Sequence, residues 1–289
     1  MDLKLQHYIE KQLTIKLNTN LTFKWESISG GSINLTYKIS ANDYNYFVKI
    51  NDKSVFKNGF KEEVLGLKFL KLNEAITPKI ILEGSFNSKI YLVLSWIDKE
   101  FQNNNFWKNF AHQLANLHQH KSNKFGLEYS NYMGQLLQKN SFFNDFDNFF
   151  IENRLKPQVK IAFDKKLLTK GDLRKFEYLY QQLPTIFPKE KPSAVHGDLW
   201  SGNYISTANN KAVFIDPAVY YGHREIDLAM SLLFGGFSLN FYNAYHEIYP
   251  LEKGFNTRKD LYNLYPLLIH LNLFGNSYLQ SIKTIITKF

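Results

Sequence analysis

Three oxygen-bearing side chains in the second half of the chain have the types and spacing that phosphoryl transfer requires. They lie in His196-Gly-Asp198-Leu-Trp-Ser-Gly-Asn203 and in Ile215-Asp216-Pro217. Moving a phosphoryl group is chiefly a matter of positioning and of neutralising charge. One carboxylate must orient the attacking hydroxyl and accept its proton, and Asp198 suits that role. Two further oxygen ligands must hold Mg²⁺ against the phosphates, because Mg²⁺ favours hard oxygen donors. Asn203 and Asp216 suit that second role. The HxDxxxxN spacing puts base and ligand amide at the two ends of one tight loop, and a strand pair across residues 204 to 215 returns Asp216 beside it. Asp and Asn are also ordinary turn residues, but a turn needs neither the full spacing nor a second Asp at a strand end.

The arrangement is similar to that of protein kinases, with HGD in place of HRD and DPA in place of DFG. On that template a nucleotide site precedes the catalytic loop in the chain. Tyr46-Phe-Val-Lys49-Ile reads as a strand with one lysine in an apolar setting. Such a lysine can reach the α- and β-phosphates and pair with a helical glutamate. Glu63, on the next helix, is the expected partner, with Glu62 on the wrong face. The turn Ser29-Gly30-Gly31-Ser32-Ile33-Asn34 lies between the first two strands, where backbone N–H groups of Gly30, Gly31, Ser32 and Ile33 could meet phosphates. A GG pair is also an ordinary hairpin turn, so position alone argues for it. The strand ending at Ser95, Trp96 and Ile97 would form the hinge against adenine. His196 and Asp227 are expected to support the catalytic loop, Asp227 by capping a helix or by bonding the loop from below. Arg224 and Glu225 read as a structural pair. His112, His118 and His120 lie on one helical segment without a carboxylate to complete a zinc site, and read as ordinary helix-face residues.

These residues need a scaffold, and the hydrophobic pattern supplies one. An amphipathic helix at about Leu3 to Lys11 is followed by alternating strands with turn signals between them. Phe60, Val64, Leu67, Phe69 and Leu70 recur at helical spacing, and two more strands end near Trp96. Beyond residues 96–99 the texture is helical, with Phe106, Phe110, Leu114 and Leu117 on one face. Strands segregated from helices imply an α+β fold of two lobes: residues 1–95, β-rich with one key helix and nucleotide-binding, and residues 96–289, mainly helical and catalytic.

Composition narrows the function further. The chain has 289 residues, 44 % of them hydrophobic and 21 % charged, and no cysteine. Disulfides, thiolate catalysis and Cys-ligated metals are therefore excluded. The net charge is +9, but the lysines are dispersed without a basic run, which argues against nucleic acid and fits a modest field favouring an anion such as ATP. No apolar run is long enough to span a bilayer, and the N-terminus has no apolar signal region, so a cytoplasmic location is expected.

Several blocks resemble the fructosamine (ketosamine) kinase family, within the aminoglycoside-phosphotransferase-like branch of the kinase fold. They are FGLEYSNYMGQLLQKN, FFIENRLKPQVKIA, HGDLWSGN, DPAVYYGHREIDLAM, LFGGF and LYNLYPLLIHLNLFG. The resemblance implies ATP- and Mg²⁺-dependent phosphorylation of a ketosamine at its sugar 3-hydroxyl, with release of the amine as a form of deglycation. It implies a small ketosamine or a glycated amine or protein as substrate, and a monomer or non-covalent dimer. By the same resemblance Asp198 is the base, Asn203 and Asp216 the metal ligands, and Lys49 and Glu63 the phosphate-anchoring pair. Trp200 is the residue against which the sugar packs, and His270 a substrate-binding histidine. Two departures stand out: the glycine loop lacks the cysteine of some members, and Ser95 replaces an acidic hinge residue. The alternatives are another small-molecule phosphotransferase of this fold, aminoglycoside- or choline-kinase-like, and a non-catalytic nucleotide-binding module.

Overall fold

The structure is a computed structural model that describes residues 2–19, 22–28, 34–55 and 59–289. The chain opens with α1 (Leu3–Leu17), then β1 (Phe23–Ser27), β2 (Leu35–Ala41), β3 (Tyr44–Asp52), α2 (Lys61–Leu72), β4 (Ile80–Phe86) and β5 (Lys89–Ser95). The strands form one antiparallel sheet in the order β1-β2-β3-β5-β4. Its two faces follow from the period-two alternation of a strand. Val48, Ile50, Tyr91 and Val93 point to one face, where they bury Leu5, Ile9 and Leu13 of α1. Ile90, Leu92 and Leu94 point to the other, where they bury Phe60, just before α2, and Val64 and Leu67 of α2. Lys49 alternates onto the α2 face, and this places it opposite a helix that carries Glu63.

The helix expected to end at Lys11 runs on to Leu17. Its buried stripe is Leu5, Ile9 and Leu13, spaced one turn apart, so the packing face continues past Lys11. Asn18, with a φ of 49°, closes the helix in the left-handed region.

The remainder is mainly helical, as expected: α3 (Asn104–Gln119), β6 (Asn131–Met133), β7 (Leu136–Gln138), α4 (Phe146–Phe150), a π-helical turn at Ile151–Leu155, α5 (Lys156–Asp164), α6 (Lys170–Ile186), β8 (Ser193–Val195), β9 (Tyr204–Ser206), β10 (Ala212–Phe214), β11 (Tyr220–Gly222), α7 (Glu225–Leu233), α8 (Leu239–Ile248), α9 (Phe255–Phe274) and α10 (Leu279–Lys288). Phe106, Phe110, Leu114 and Leu117 of α3 are buried in its core. Short two-stranded pairs, β8–β11 and β9–β10, frame the segment from His196 to Asp216.

The two parts meet closely at Gly66 of α2. A Cβ there would lie 2.9 Å from the Pro217 ring, tighter than side chains tolerate, so the glycine lets α2 approach the segment just after Asp216. Among the described residues no helix is long and apolar enough to cross a membrane.

Candidate active site

Lys49 is 4 % exposed, and a buried ammonium must be paired. Its Nζ lies 2.9 Å from Glu63 Oε1 and also bonds Asp216 Oδ1. Burial works against the Lys49 charge, but Asp216 and Glu63 together outweigh it and hold the ammonium above its ordinary value. Burial likewise pushes the Glu63 carboxyl up, against the pull of Lys49. Asp216 itself has a φ of 52°. A non-glycine residue in that region is strained, and such strain clusters at functional sites.

Asp198 and Asn203 face each other across the loop. Asn203 Nδ2 donates to the Asp198 backbone carbonyl at 2.7 Å and to Asp198 Oδ2 at 2.9 Å. Burial raises the Asp198 carboxyl to about 7, against the Asn203 hydrogen bond, with Asp216 adding to the rise. A carboxyl tuned to this range suits proton acceptance near neutral pH.

The loop is clamped from beneath by a fully buried acid. Asp227 Oδ2 accepts the His196 N–H at 2.7 Å and Asp227 Oδ1 accepts the Gly197 N–H at 2.8 Å. His118 Nε2 of α3 approaches Asp227 Oδ2 at 3.1 Å, and His118 Nδ1 approaches Tyr245 Oη at 2.7 Å. His196 Nε2 donates to the Ile215 carbonyl at 3.0 Å, tying the loop to the strand before Asp216. Gly197, at φ 83°, packs so tightly that a Cβ would overlap the Ala218 carbonyl oxygen at 2.1 Å. Only glycine fits the second position of this motif.

Asn203 and Asp216 offer hard oxygen donors suited to Mg²⁺. The Asn203 amide nitrogen is engaged by Asp198, which leaves its Oδ1 without a hydrogen-bond donor among the described residues. Asp216 bonds Lys49 through Oδ1 and keeps Oδ2. Among the described residues no cluster of three or more His, Cys, Asp or Glu is grouped to hold a metal. A cation here would draw its other oxygens from phosphates and water.

These groups line one end of a cleft of about 510 Å³. Trp200, Phe234, Ile269, His270, Leu273, Phe274 and Tyr278 line the rest, together with Asn131, Tyr132, Met133 and Gly134 of the β6–β7 hairpin. A family profile for fructosamine kinases matches residues 5–289. The chain belongs to the fructosamine kinase family. It is a kinase of that family, and its fold is the kinase-like fold of two lobes. It is 39 % identical over 278 residues to a protein of Enterococcus faecium named as a ketoamine kinase, covering 96 % of this chain and 99 % of the relative. It is 36 % identical over 272 residues to the chloroplastic protein-ribulosamine 3-kinase of Arabidopsis thaliana, covering 91 % and 81 %. The crystal structure of a protein named as a fructosamine-3-kinase of Haemophilus somnus superposes with a TM-score of 0.87 at 32 % identity, covering 97 % and 96 %. An ADP-bound aminoglycoside phosphotransferase superposes with a TM-score of 0.65 at 17 % identity, covering 99 % and 97 %, and shares the fold.

Of the residues singled out in the sequence, the fold brings Lys49, Glu63, Asp198, Trp200, Asn203, Asp216 and His270 into this cleft. Gly30, Gly31, Ser32 and Ile33 lie outside the described residues. Ser95, Trp96 and Ile97 do not line the cleft. The Ser95 N–H donates to the Lys79 carbonyl at 2.8 Å and the Trp96 N–H to the Asn45 carbonyl at 3.1 Å, so neither is free for a base. Of the two readings for Asp227, the geometry is that of a loop clamp rather than a helix cap. Arg224 and Glu225 are not a pair. Arg224 bonds Glu190 at 2.9 Å and Glu225 bonds Arg258 at 2.6 Å, because they leave the start of α7 in different directions.

His118, Phe234, Phe274, Tyr278 and the hairpin wall belong to the site or its support without a motif in the sequence to single them out. His118 did carry a signal. It lies four residues after Leu114, on the buried face of α3, where an imidazole must find partners.

Proposed function

We propose that this chain transfers the γ-phosphoryl group of ATP, with Mg²⁺, to the sugar 3-hydroxyl of a ketosamine. The observation that carries this reading is the convergence of Lys49, Asp198, Asn203 and Asp216 at one end of a cleft whose other end is ringed by Trp200 and His270. In this reading residues 1–95 form the nucleotide lobe and residues 96–289 the catalytic and acceptor lobe.

Asp198 orients the acceptor hydroxyl and takes its proton. Asn203 and Asp216 would hold the metal ion, which would neutralise phosphate charge. Lys49, fixed by Glu63, adds a second positive charge at the phosphates. Asp227 and His118 set the backbone of the loop, so little reorganisation is needed as charge develops. The Trp200 indole offers a flat apolar face to the sugar ring. His270 Nδ1 lies 2.7 Å from the Pro266 carbonyl. That nitrogen therefore carries the proton, and Nε2 is left to accept a bond from the substrate. A 3-phosphate is a better leaving group than hydroxide, so the enolised product expels inorganic phosphate by β-elimination, and water then hydrolyses the resulting imine and frees the amine. This gives the activity a deglycating role. We read the chain as a cytoplasmic enzyme, active as a monomer or non-covalent dimer, on small adducts or glycated protein.

An aminoglycoside acceptor is disfavoured on charge. Such polycations need carboxylates along their length, whereas the acidic residues among the described lining sit at the Lys49 end of the cleft. The test is ADP release with Mg-ATP and a panel of ribulosamine, erythrulosamine and fructosamine adducts of lysine. Release that depends on one or more adducts supports the proposal. ATP binding without release on any adduct, but with release on an aminoglycoside or choline-like alcohol, would overturn it.

A further inference from the structure

Asp216 stands in a backbone conformation that needs holding. Its φ of 52° lies in the left-handed region, and such strain persists only where the surroundings over-determine it. Part of the grip comes from the catalytic loop. The Ile215 N–H donates to the Asn203 carbonyl at 3.1 Å, and the Ala218 N–H donates to the His196 carbonyl at 2.9 Å. The carbonyls of Ala218 and Val219, two and three residues past Asp216, are taken up instead by the β6–β7 hairpin.

Gln138 Nε2 donates to the Ala218 carbonyl at 2.9 Å, and Asn131 Nδ2 donates to the Val219 carbonyl at 2.8 Å. The amides also hold one another. Gln138 Nε2 donates to Asn131 Oδ1 at 2.8 Å, and Asn140 Nδ2 donates to the same oxygen at 3.1 Å. Neither Asn131 nor Gln138 can turn its amide over without setting like against like. Arg154 closes the network. Its Nη2 donates to Asn140 Oδ1 at 2.7 Å, its Nη1 bonds the Lys139 carbonyl, and its guanidinium lies 4.1 Å over the Tyr220 ring. All four side chains are buried, and a buried network of this kind rigidifies what it touches. Gln138 Oε1 has no partner among the described residues, so Gln138 serves here as a donor alone.

Resting on the reading of Asp216 as a metal ligand, we infer that Asn131 and Gln138 are positioning residues for it. They fix the backbone from Pro217 to Val219, and with it the direction in which the Asp216 carboxylate meets a cation. Lys49 already bonds that carboxylate, so a segment free to shift would let it settle on the ammonium at the expense of the metal. The same hairpin walls the cleft through Tyr132, Met133 and Gly134, so one short element both lines the cleft and braces the metal-ligand segment.

The experiment reads metal binding directly, by electron paramagnetic resonance of Mn²⁺ titrated into enzyme with saturating ADP. Gln138→Met keeps the reach of the side chain and removes both donated bonds. It is expected to raise the Mn²⁺ Kd at least about fivefold, the weight of one net buried hydrogen bond, with the affinity for metal-free ADP unchanged. Asn131→Ser is a milder change that keeps a hydroxyl donor. It should shift the Mn²⁺ Kd in the same direction, and it carries the test if Gln138→Met does not fold. The control is Asn263→Ala, which removes a buried amide that donates to the Ala229 carbonyl at 2.9 Å, outside the cleft. It should lower stability in urea and leave Mn²⁺ affinity as it is. Wild-type Mn²⁺ affinity in folded Gln138→Met or Asn131→Ser enzyme, or an equal weakening in Asn263→Ala, overturns the positioning role. Wild-type enzyme that binds no Mn²⁺ with ADP, or an Asp216→Asn enzyme that binds it as tightly, defeats the metal reading instead, and the positioning role falls with it.

Discussion

At the Lys49 end of the cleft the polar groups hold one another. Lys49 bonds Glu63 and Asp216, Asn203 bonds Asp198, and Asp227 grips the loop backbone from below. At the Trp200 end the side chains are rings in van der Waals contact, and two of them are exposed at the rim. The first end fixes atoms to within a hydrogen bond, as phosphoryl transfer demands. The second offers area and shape, which sort acceptors with little directional bonding. Changes at the first end should therefore act on the chemical step or on stability, and changes at the second on acceptor recognition.

The largest effect belongs to Asp198→Asn. It should lower kcat by more than about 10²-fold, the lower range for loss of a general base, while ATP affinity measured by titration stays nearly constant. Parallel loss of ATP binding would break the division of labour. Next comes Asp227→Ala, which leaves the His196 and Gly197 N–H groups buried without an acceptor. Each orphaned donor costs about 1–3 kcal/mol, so urea unfolding should report a loss of roughly 2–5 kcal/mol. A loss under about 0.5 kcal/mol, the size typical of surface changes, would mean that the clamp carries no weight.

The smallest effect concerns His270. Burial holds its imidazole below the usual 6.5, so the ring is neutral above that pH and an acceptor at Nε2. Protonation below it removes the acceptor. Acceptor kcat/KM should then fall on the acid side in the wild type more steeply than in His270→Gln, by a few-fold near the lowered pKa. The KM for ATP should show no such difference. The same shift has a stability sign. The unfolded chain binds a proton that the folded chain refuses, so this share of stability is complete above pH 6.5 and is lost as pH falls. Identical acid limbs in both enzymes would remove His270 from acceptor recognition.

The two ends also differ in how far the sequence reveals them. Asp198, Asn203 and Asp216 sit on one loop and the strand pair behind it, so local spacing describes their geometry. Lys49 and Glu63 follow from strand alternation and helical period, and the expected pairing over Glu62 is the one the structure makes. The rings come from three segments brought together only by packing. No local pattern marks Phe274, the last residue of α9, or Tyr278, which follows α9 through a turn at Gly275. The strands β6 and β7 are three residues each, too short for alternation to stand out. The full length of α1 was legible in Leu5, Ile9 and Leu13. His118 reads as an ordinary helix-face residue, although its helical spacing from Leu114 places it on the buried face.

The most direct measurement of the central claim is phosphorus NMR of a ketosamine after incubation with Mg-ATP and the enzyme. The account predicts a phosphate monoester on the sugar's third carbon that is absent with Asp198→Asn and with a 3-deoxy acceptor. A monoester formed at another hydroxyl, or one that persists in the Asp198→Asn enzyme, would contradict it.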